Sequence, residues 1–332
     1  MAARPILLGA IAIMMSIAVG CTTTTDLELP EGHPVVADFD GDGRLDVATV
    51  AVYSGIVVAL AKPDGGFHVV KNGLFDTGPQ MGVSGDFDGD GHADILYGAW
   101  SALWGTEPRI AHGDGTGHFT VTQLALEGLS LADIVGTADV DGDGLTDAFV
   151  LVREGGPHGV QQLRVLFGER ERTMRLGPET DARPGASTSD HNGAVLDANE
   201  DGVPDVVLLD DDAAVYLGNP DGTFGRMVRV GPSLEPLSAV PVAGDFDGDG
   251  HVDIFASRLW LGDGSGRFHA STPDPTPPRA SRRSTVALDV DGDGRDEIVC
   301  RRYEDDDATL VLLRFDGTAF TAETWSLSDS PD

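Results

Sequence analysis

DFDGDGHAD, Asp86 to Asp94, returns with small changes along the whole chain. Copies read DFDGDGRLD from Asp38, DVDGDGLTD from Asp139, DANEDGVPD from Asp197, DFDGDGHVD from Asp245 and DVDGDGRDE from Asp289. Successive starts lie 48, 53, 58, 48 and 44 residues apart. Such a period marks one supersecondary unit per repeat, and units of this kind stack because none can cover its apolar face alone.

Within one copy, acidic side chains stand at positions 1, 3, 5 and 9, and glycines at positions 4 and 6 let a short loop curl until those side chains converge. Oxygen-only donors in a flexible ring suit calcium. Magnesium demands a tighter octahedron with more retained water, and zinc prefers His or Cys, which these four positions lack. Position 7 is expected to add its backbone carbonyl, as in helix-flanked calcium loops, which explains why its side chain varies so freely. The candidate ligands are Asp38, Asp40, Asp42, Arg44 and Asp46 in the first loop and Asp86, Asp88, Asp90, His92 and Asp94 in the second. The third offers Asp139, Asp141, Asp143, Leu145 and Asp147, and the fourth Asp197, Asn199, Asp201, Val203 and Asp205. The fifth offers Asp245, Asp247, Asp249, His251 and Asp253, and the sixth Asp289, Asp291, Asp293, Arg295 and Glu297. Up to six Ca²⁺ are thus expected. Metal-free solvated turns are the bland alternative, and six copies at regular spacing argue against it, because carboxylates this close repel one another. The fourth loop lacks one charge at Asn199 and has Glu200 where glycine is usual, and the sixth ends in the longer Glu297, so weaker sites are expected there.

Residues 1–20 hold Arg4, an apolar run from Ile6 to Val19 and small residues before Cys21, the layout of a secretory signal peptide. The run is too short for a comfortable membrane span, which needs about 20 residues. Ala18-Val19-Gly20-Cys21 resembles the lipobox of bacterial lipoproteins, with Ala18 where leucine is usual. That resemblance implies lipidation of Cys21; ordinary cleavage and an uncleaved anchor stay open. Thr22 is not the aspartate that retains such proteins in the inner membrane of enteric bacteria, so the expected place is the outer membrane or cell surface, reached by secretion across the inner membrane. The chain then divides into the signal peptide, a lipidated N-terminus and linker at 21–32, the repeats at 33–328 and a tail at 329–332. The second cysteine, Cys300, ends an apolar segment and reads as a small buried residue. If Cys21 is lipidated no intramolecular disulfide remains, and calcium is then expected to do the stapling that disulfides often provide outside the cytoplasm.

The net charge of −33 argues against nucleic acid and anionic membrane surfaces as partners, leaving a lipid anchor as the only membrane contact. Much of that charge is local. The ligand positions of the six loops hold 23 of the 55 acidic residues, and the remaining 32 stand against 22 Lys and Arg.

Each repeat continues as a strand out of the loop and then a hairpin whose Gly/Asp turn is followed by phenylalanine: ALAKPDGGF to Phe67, AHGDGTGHF to Phe119, YLGNPDGTF to Phe224, WLGDGSGRF to Phe268 and LRFDGTAF to Phe320. These rings are expected to lock neighbouring units together. The third repeat departs from the pattern, with charged FGERERTMRL in place of the glycine turn. Four short strands per unit and no helical periodicity predict an all-β β-propeller of about six four-stranded blades, with a seventh left open. The loop and hairpin signatures resemble the FG-GAP or VCBS repeats of integrin α-subunit propellers and of many bacterial secreted proteins, over nearly all of residues 33–328. The resemblance implies that each acidic loop joins a blade's first two strands and binds calcium.

No GxSxG elbow, HExxH helix, phosphate-cradling loop or Cys/His nucleophile pair is present. A calcium-bound carboxylate is also a poor general acid, because the cation holds it ionised. The expectation is a calcium-binding, lipid-anchored module for binding or adhesion, with an unidentified protein or glycan partner and no catalytic residues. A lectin, or a polysaccharide lyase or hydrolase built on a calcium-rich propeller, is the alternative. Trp100, Trp104 and Trp260 would stack on sugars if exposed and are otherwise blade packing. His92 and His251 read as solvated side chains. The stretches Gly177–Gly193 and Ser271–Ser284 are the places for unit-specific contacts.

Overall fold

The computed structural model describes residues 33–51, 55–64, 66–73, 79–101, 105–154, 159–182, 192–209, 212–232, 241–256, 258–271, 285–304 and 307–326. The signal peptide, Cys21, the linker, the tail, Trp104, residues 183–191 and residues 272–284 lie outside them, as do the side chains of Trp100 and Cys300.

Six sheets follow one another in chain order, each of four antiparallel strands. Blade one holds His33–Ala37, Asp46–Ala51, Gly55–Ala61 and Phe67–Lys71, and blade two holds Pro79–Gly85, Asp94–Ser101, Gly105–Gly113 and Phe119–Gln123. Blade three holds Ser130–Ala138, Asp147–Glu154, Val160–Glu169 and Thr173–Leu176, and blade four holds Asn192–Leu196, Asp205–Leu209, Asp212–Gly218 and Phe224–Pro232. Blade five holds Val242–Gly244, Asp253–Phe255, Leu259–Gly262 and Phe268–Ala270, and blade six holds Thr285–Leu288, Glu297–Glu304, Asp307–Phe315 and Phe320–Ser326. A single bridge, Thr106 to Leu131, joins the sheets of blades two and three. The fold class is an all-β propeller of six four-stranded blades, with no helix among the described residues. Blades one to three make one compact unit and blades four to six another.

The acidic loops connect the first and second strands of every blade. Position 9 is always the first residue of the second strand and pairs with the last residue of the first, as in Gly85 with Asp94 and Gly244 with Asp253. The inner strands are buried on both faces. Gly55–Leu60 is buried at every position, and so is Asp147–Val152. The fourth strand is instead mostly half-buried or exposed, as in Phe67–Lys71, and forms an edge of the sheet.

Burial is shared between neighbours. Val35, Val50, Ile56 and Val58 of blade one pack with Ile95 and Tyr97 of blade two, while Leu96 and Ile110 on the other face of blade two pack with Val150 and Leu166 of blade three. In the second unit, Val207 and Val215 of blade four pack with Ile254 and Trp260, and Phe246 and Phe255 of blade five with Ile298 and Val311. Fully burying one such side chain contributes about 1.5–3 kcal/mol. Three of the hairpin phenylalanines, Phe119, Phe268 and Phe320, join these seams. Phe119 meets Phe39 of the preceding blade edge to face at 5.7 Å, and Phe320 meets Phe255 at 5.5 Å. Backbone hydrogen bonds add to this, from Gly117 N–H to the Phe39 carbonyl at 3.1 Å and from Gly266 N–H to the Ala198 carbonyl at 2.8 Å. Trp260 is a seam residue, 6% exposed, with the Arg258 guanidinium over its ring at 5.3 Å. The start of the 177–193 stretch is packed as well: Gly177 N–H donates to the Val165 carbonyl, Thr180 Oγ1 to the Leu163 carbonyl, and Leu163 N–H to the Ala182 carbonyl.

The third strands of blades two to five bring Gly113, Gly168, Gly218 and Gly262 against the main chain that leaves the acidic loop. A Cβ at these glycines would run into the carbonyls of Ala93, Phe87 and Thr146, Pro204 and Val252 respectively. Gly262→Ala is therefore expected to destabilise the protein by about 1–3 kcal/mol through overpacking, read as a lower denaturant midpoint at unchanged slope.

Candidate metal centre

Each loop is wound around its own carboxylates. The position 1 carboxylate accepts the position 6 N–H in all six loops, from Gly43 to Asp38 at 2.7 Å through to Gly294 to Asp289 at 3.0 Å. The position 5 carboxylate accepts the position 7 N–H in all six, at 2.8–3.0 Å. Glycines at positions 4 and 6 hold φ between +73° and +90°, the left-handed region, which is why the sequence keeps glycine there. Glu200 breaks that rule in the fourth loop and carries φ +57°.

Position 9 differs from the rest of the loop. Asp46, Asp94, Asp205 and Asp253 are fully buried, and Asp147 and Glu297 nearly so. One oxygen accepts the position 2 N–H in every loop, as from Phe246 to Asp253 at 3.0 Å. In five loops the other oxygen accepts an amide of the third strand, from Ala61, Gly113, Gly168, Gly218 or Gly262, at 2.7–2.9 Å. Burial nevertheless pushes these acids up, to about 6 at Asp147 and Asp205 and about 7 at Asp253, because the desolvation cost of the anion outweighs the two amides. Asp46 and Glu297 move in the same direction for the same first cause.

Carboxylate oxygens of positions 1, 3 and 5 converge within 4.8 Å of one another in loops one, two and five, and those of Asp139, Asp141 and Asp147 do so in loop three. An all-oxygen cluster of this size, each member retaining free lone pairs, fits a hard divalent cation. In the sixth loop, the longer Glu297 turns its second oxygen to Arg314, whose Nε lies 3.3 Å from it and 3.5 Å from Asp291. That guanidinium stands where four loops have Leu60, Phe167, Leu217 or Leu261, so the sixth loop carries a cation of its own.

The side chains at position 7 are less free than the sequence implies. Leu145 is 3% exposed and packs over Gly89 of the second loop, and Arg295 lies over Gly248 of the fifth. His92 rests on Gly115, and His251 rests on Gly264 while bonding to Glu200 of the fourth loop. That contact raises the His251 pKa; both histidines lie against their own turns instead of extending freely into solvent.

Three features had no signal in the spacing. The position 2 residue is core, with Phe39, Phe87, Val140, Ala198 and Phe246 all buried. The turn acids Asp114, Asp221, Asp263 and Asp316 each accept the N–H and the hydroxyl two residues on, from Thr116, Thr223, Ser265 and Thr318. Those bonds pull their pKa values down, and their role is to shape the hairpin. In the charged turn of blade three, Arg172 takes the left-handed φ of +59° and reaches the second loop, with Nε 3.4 Å from Asp88 and Nη2 3.1 Å from Asp90.

An acid whose pKa rises on folding binds its proton more tightly in the folded state, so metal-free stability grows as pH falls through the folded value and is lost as pH rises through it. The raised His251 acts in the same direction. The chelated protein is therefore expected to melt higher near about pH 5 than near about pH 8, with the loss running from the ordinary carboxylate range up to the folded values of about 6–7 and levelling off above them. Asp253→Asn should flatten that dependence while costing about 1–3 kcal/mol, because an NH₂ then faces one of two N–H donors. Thermal melts across pH in excess chelator check both.

A model of the FG-GAP-like repeat matches residues 38–97, 86–150 and 197–256, more than half of the chain. No curated protein matches. Among solved structures, AofleA from Arthrobotrys oligospora is 11% identical over 90% of this chain and 87% of its own, with a TM-score of 0.48. A rhamnogalacturonan lyase from Bacillus licheniformis is 16% identical over 86% of this chain and 61% of its own, with a TM-score of 0.40. With matches on the loops of blades one to five and the same strand–loop–strand frame in the sixth, the chain belongs to the FG-GAP repeat family.

Proposed function

We propose that this chain is a calcium-stabilised binding module that works outside the cytoplasm, tethered through lipid on Cys21, and that its partner is a glycan or a protein. The observation that carries the metal part is the convergence of oxygen donors at the same place in successive blades. The ion would be held by the carboxylates of positions 1, 3, 5 and 9 with the carbonyl of position 7, and would supply the positive charge that the loop amides only partly provide. Extracellular modules of this kind work at calcium affinities of about 10⁻⁴–10⁻³ M, which the medium outside a cell can saturate.

Binding in preference to catalysis follows from how the acidic residues are used. Those of the loops hold loop amides, those of the turns hold hairpins, and the buried ones clamp strands. Loops that differ from blade to blade present a broad surface suited to a macromolecular partner.

Calcium is expected to raise the melting temperature well above that in excess chelator, with about 2.7 kcal/mol gained per site when calcium stands at about 100 times its dissociation constant. An unchanged midpoint would remove the metal reading. Asp247→Ala should weaken calcium binding more than Asn199→Ala, because only the first removes a charge; isothermal titration measures it. For the partner, a glycan array and pull-down on the calcium-loaded soluble domain should show chelator-sensitive binding. Turnover of a polysaccharide, lost on one carboxylate substitution that leaves the melting curve intact, would overturn the binding reading in favour of a lyase or hydrolase. Intact mass of the native protein should carry an acyl shift on Cys21, and a free amino terminus at Thr22 would refute the anchor.

A further inference from the structure

The second loop holds a group that the other five lack. His112, the third-strand residue just before Gly113, is 2% exposed, and neither of its ring nitrogens makes a hydrogen bond. Its Nδ1 lies 3.3 Å from Asp88 Oδ2 and 3.8 Å from Asp94 Oδ2. Asp88 Oδ2 is itself buried without a hydrogen bond. Buried polar atoms that face each other without a hydrogen bond are costly to leave so, and native proteins resolve such a pair with a water or an ion. The equivalent residues of the other blades are Leu60, Phe167, Leu217, Leu261 and Arg314, so this nitrogen belongs to blade two alone.

We infer that Asp88, Asp94 and His112 form a mixed nitrogen–oxygen site for a first-row transition metal of the zinc class, distinct in ligand chemistry from the oxygen-only calcium loops. Ligands about 2.0–2.1 Å from a tetrahedral metal stand about 3.3 Å apart, which the Nδ1 separations of 3.3 and 3.8 Å approach. A neutral imidazole is a borderline donor that raises affinity for zinc, nickel or copper and adds little for calcium. Asp94 keeps a lone pair on each oxygen after accepting the Phe87 and Gly113 amides at 3.2 and 2.8 Å. Arg172 meets the same Asp88 oxygen from the exposed side, at 3.4 Å, and fixes the carboxylate's orientation from outside the cluster. The inference rests on the second loop being a metal loop, and it assigns that loop a different ion.

The experiment uses the full chain and a His112→Leu variant, which reproduces the leucine of blades one, four and five. Both are titrated with Zn²⁺ alone, with Co²⁺ followed by its visible absorption, and separately with Ca²⁺. The expected result is one Zn²⁺ bound about tenfold or more tightly by the wild type than by the variant, with a Co²⁺ band lost in the variant and calcium binding by the other loops unchanged. Zinc-edge X-ray absorption of the wild type should show imidazole scattering, a readout that does not depend on the variant folding. Equal Zn²⁺ isotherms and Co²⁺ spectra, or an oxygen-only zinc environment, would overturn the inference. If neither protein bound Ca²⁺, the calcium reading would fall separately, and the zinc comparison would still decide this site.

Discussion

A buried carboxylate held by two backbone amides is the constraint around which each blade is built. The first residue of the second strand gives one oxygen to the amide at the second position of the acidic loop and, in five blades, the other to an amide of the third strand. It therefore fixes the loop's entry, the start of the second strand and the end of the third with one side chain. The anion is costly where it lies, as the upward pKa shifts at Asp147, Asp205 and Asp253 record. Removing it would leave two buried amides unpaired, each at about 1–3 kcal/mol. The loop is thus a structural clamp before it is anything else, and the proposed cation would add to a geometry that the main chain has already set.

On that common frame, neighbouring positions vary in ways that give each loop its own chemistry. The residue just before the clamping amide is apolar in four blades, a buried imidazole in blade two and a guanidinium in blade six. The side chain at the seventh loop position reaches a neighbouring loop at Leu145, His251 and Arg295. Repetition of the motif fixes where the loops are, and these two flanking positions give each loop different surroundings.

The fold was legible in DxDGDGxxD and in the glycine turn followed by phenylalanine, because both depend on local backbone conformation. Glycines at positive φ and a loop between the first two strands can be read from a few residues. What was not legible depends on stacking. Arg172 meets Asp90 across 82 residues, and His251 meets Glu200 across 51, so no window of sequence places them together. The same holds for His112, which reads as one of nine scattered histidines until the third strand lies beside the loop. Position 9 looks like its fellow carboxylates in sequence, and only its place at the head of a central strand marks it as buried.

The repeat in the sequence and the hydrophobic cores are out of phase. Alternate residues of one strand serve two cores: Ile95 and Tyr97 of blade two complete the seam with blade one, and Leu96 completes the seam with blade three. Duplication copies a blade, whereas cohesion belongs to the half-blades on either side of a seam. Exchanging one repeat for another would thus change two interfaces at once, and a swap that preserves cohesion would have to exchange matching halves cut along the mid-plane of the sheet.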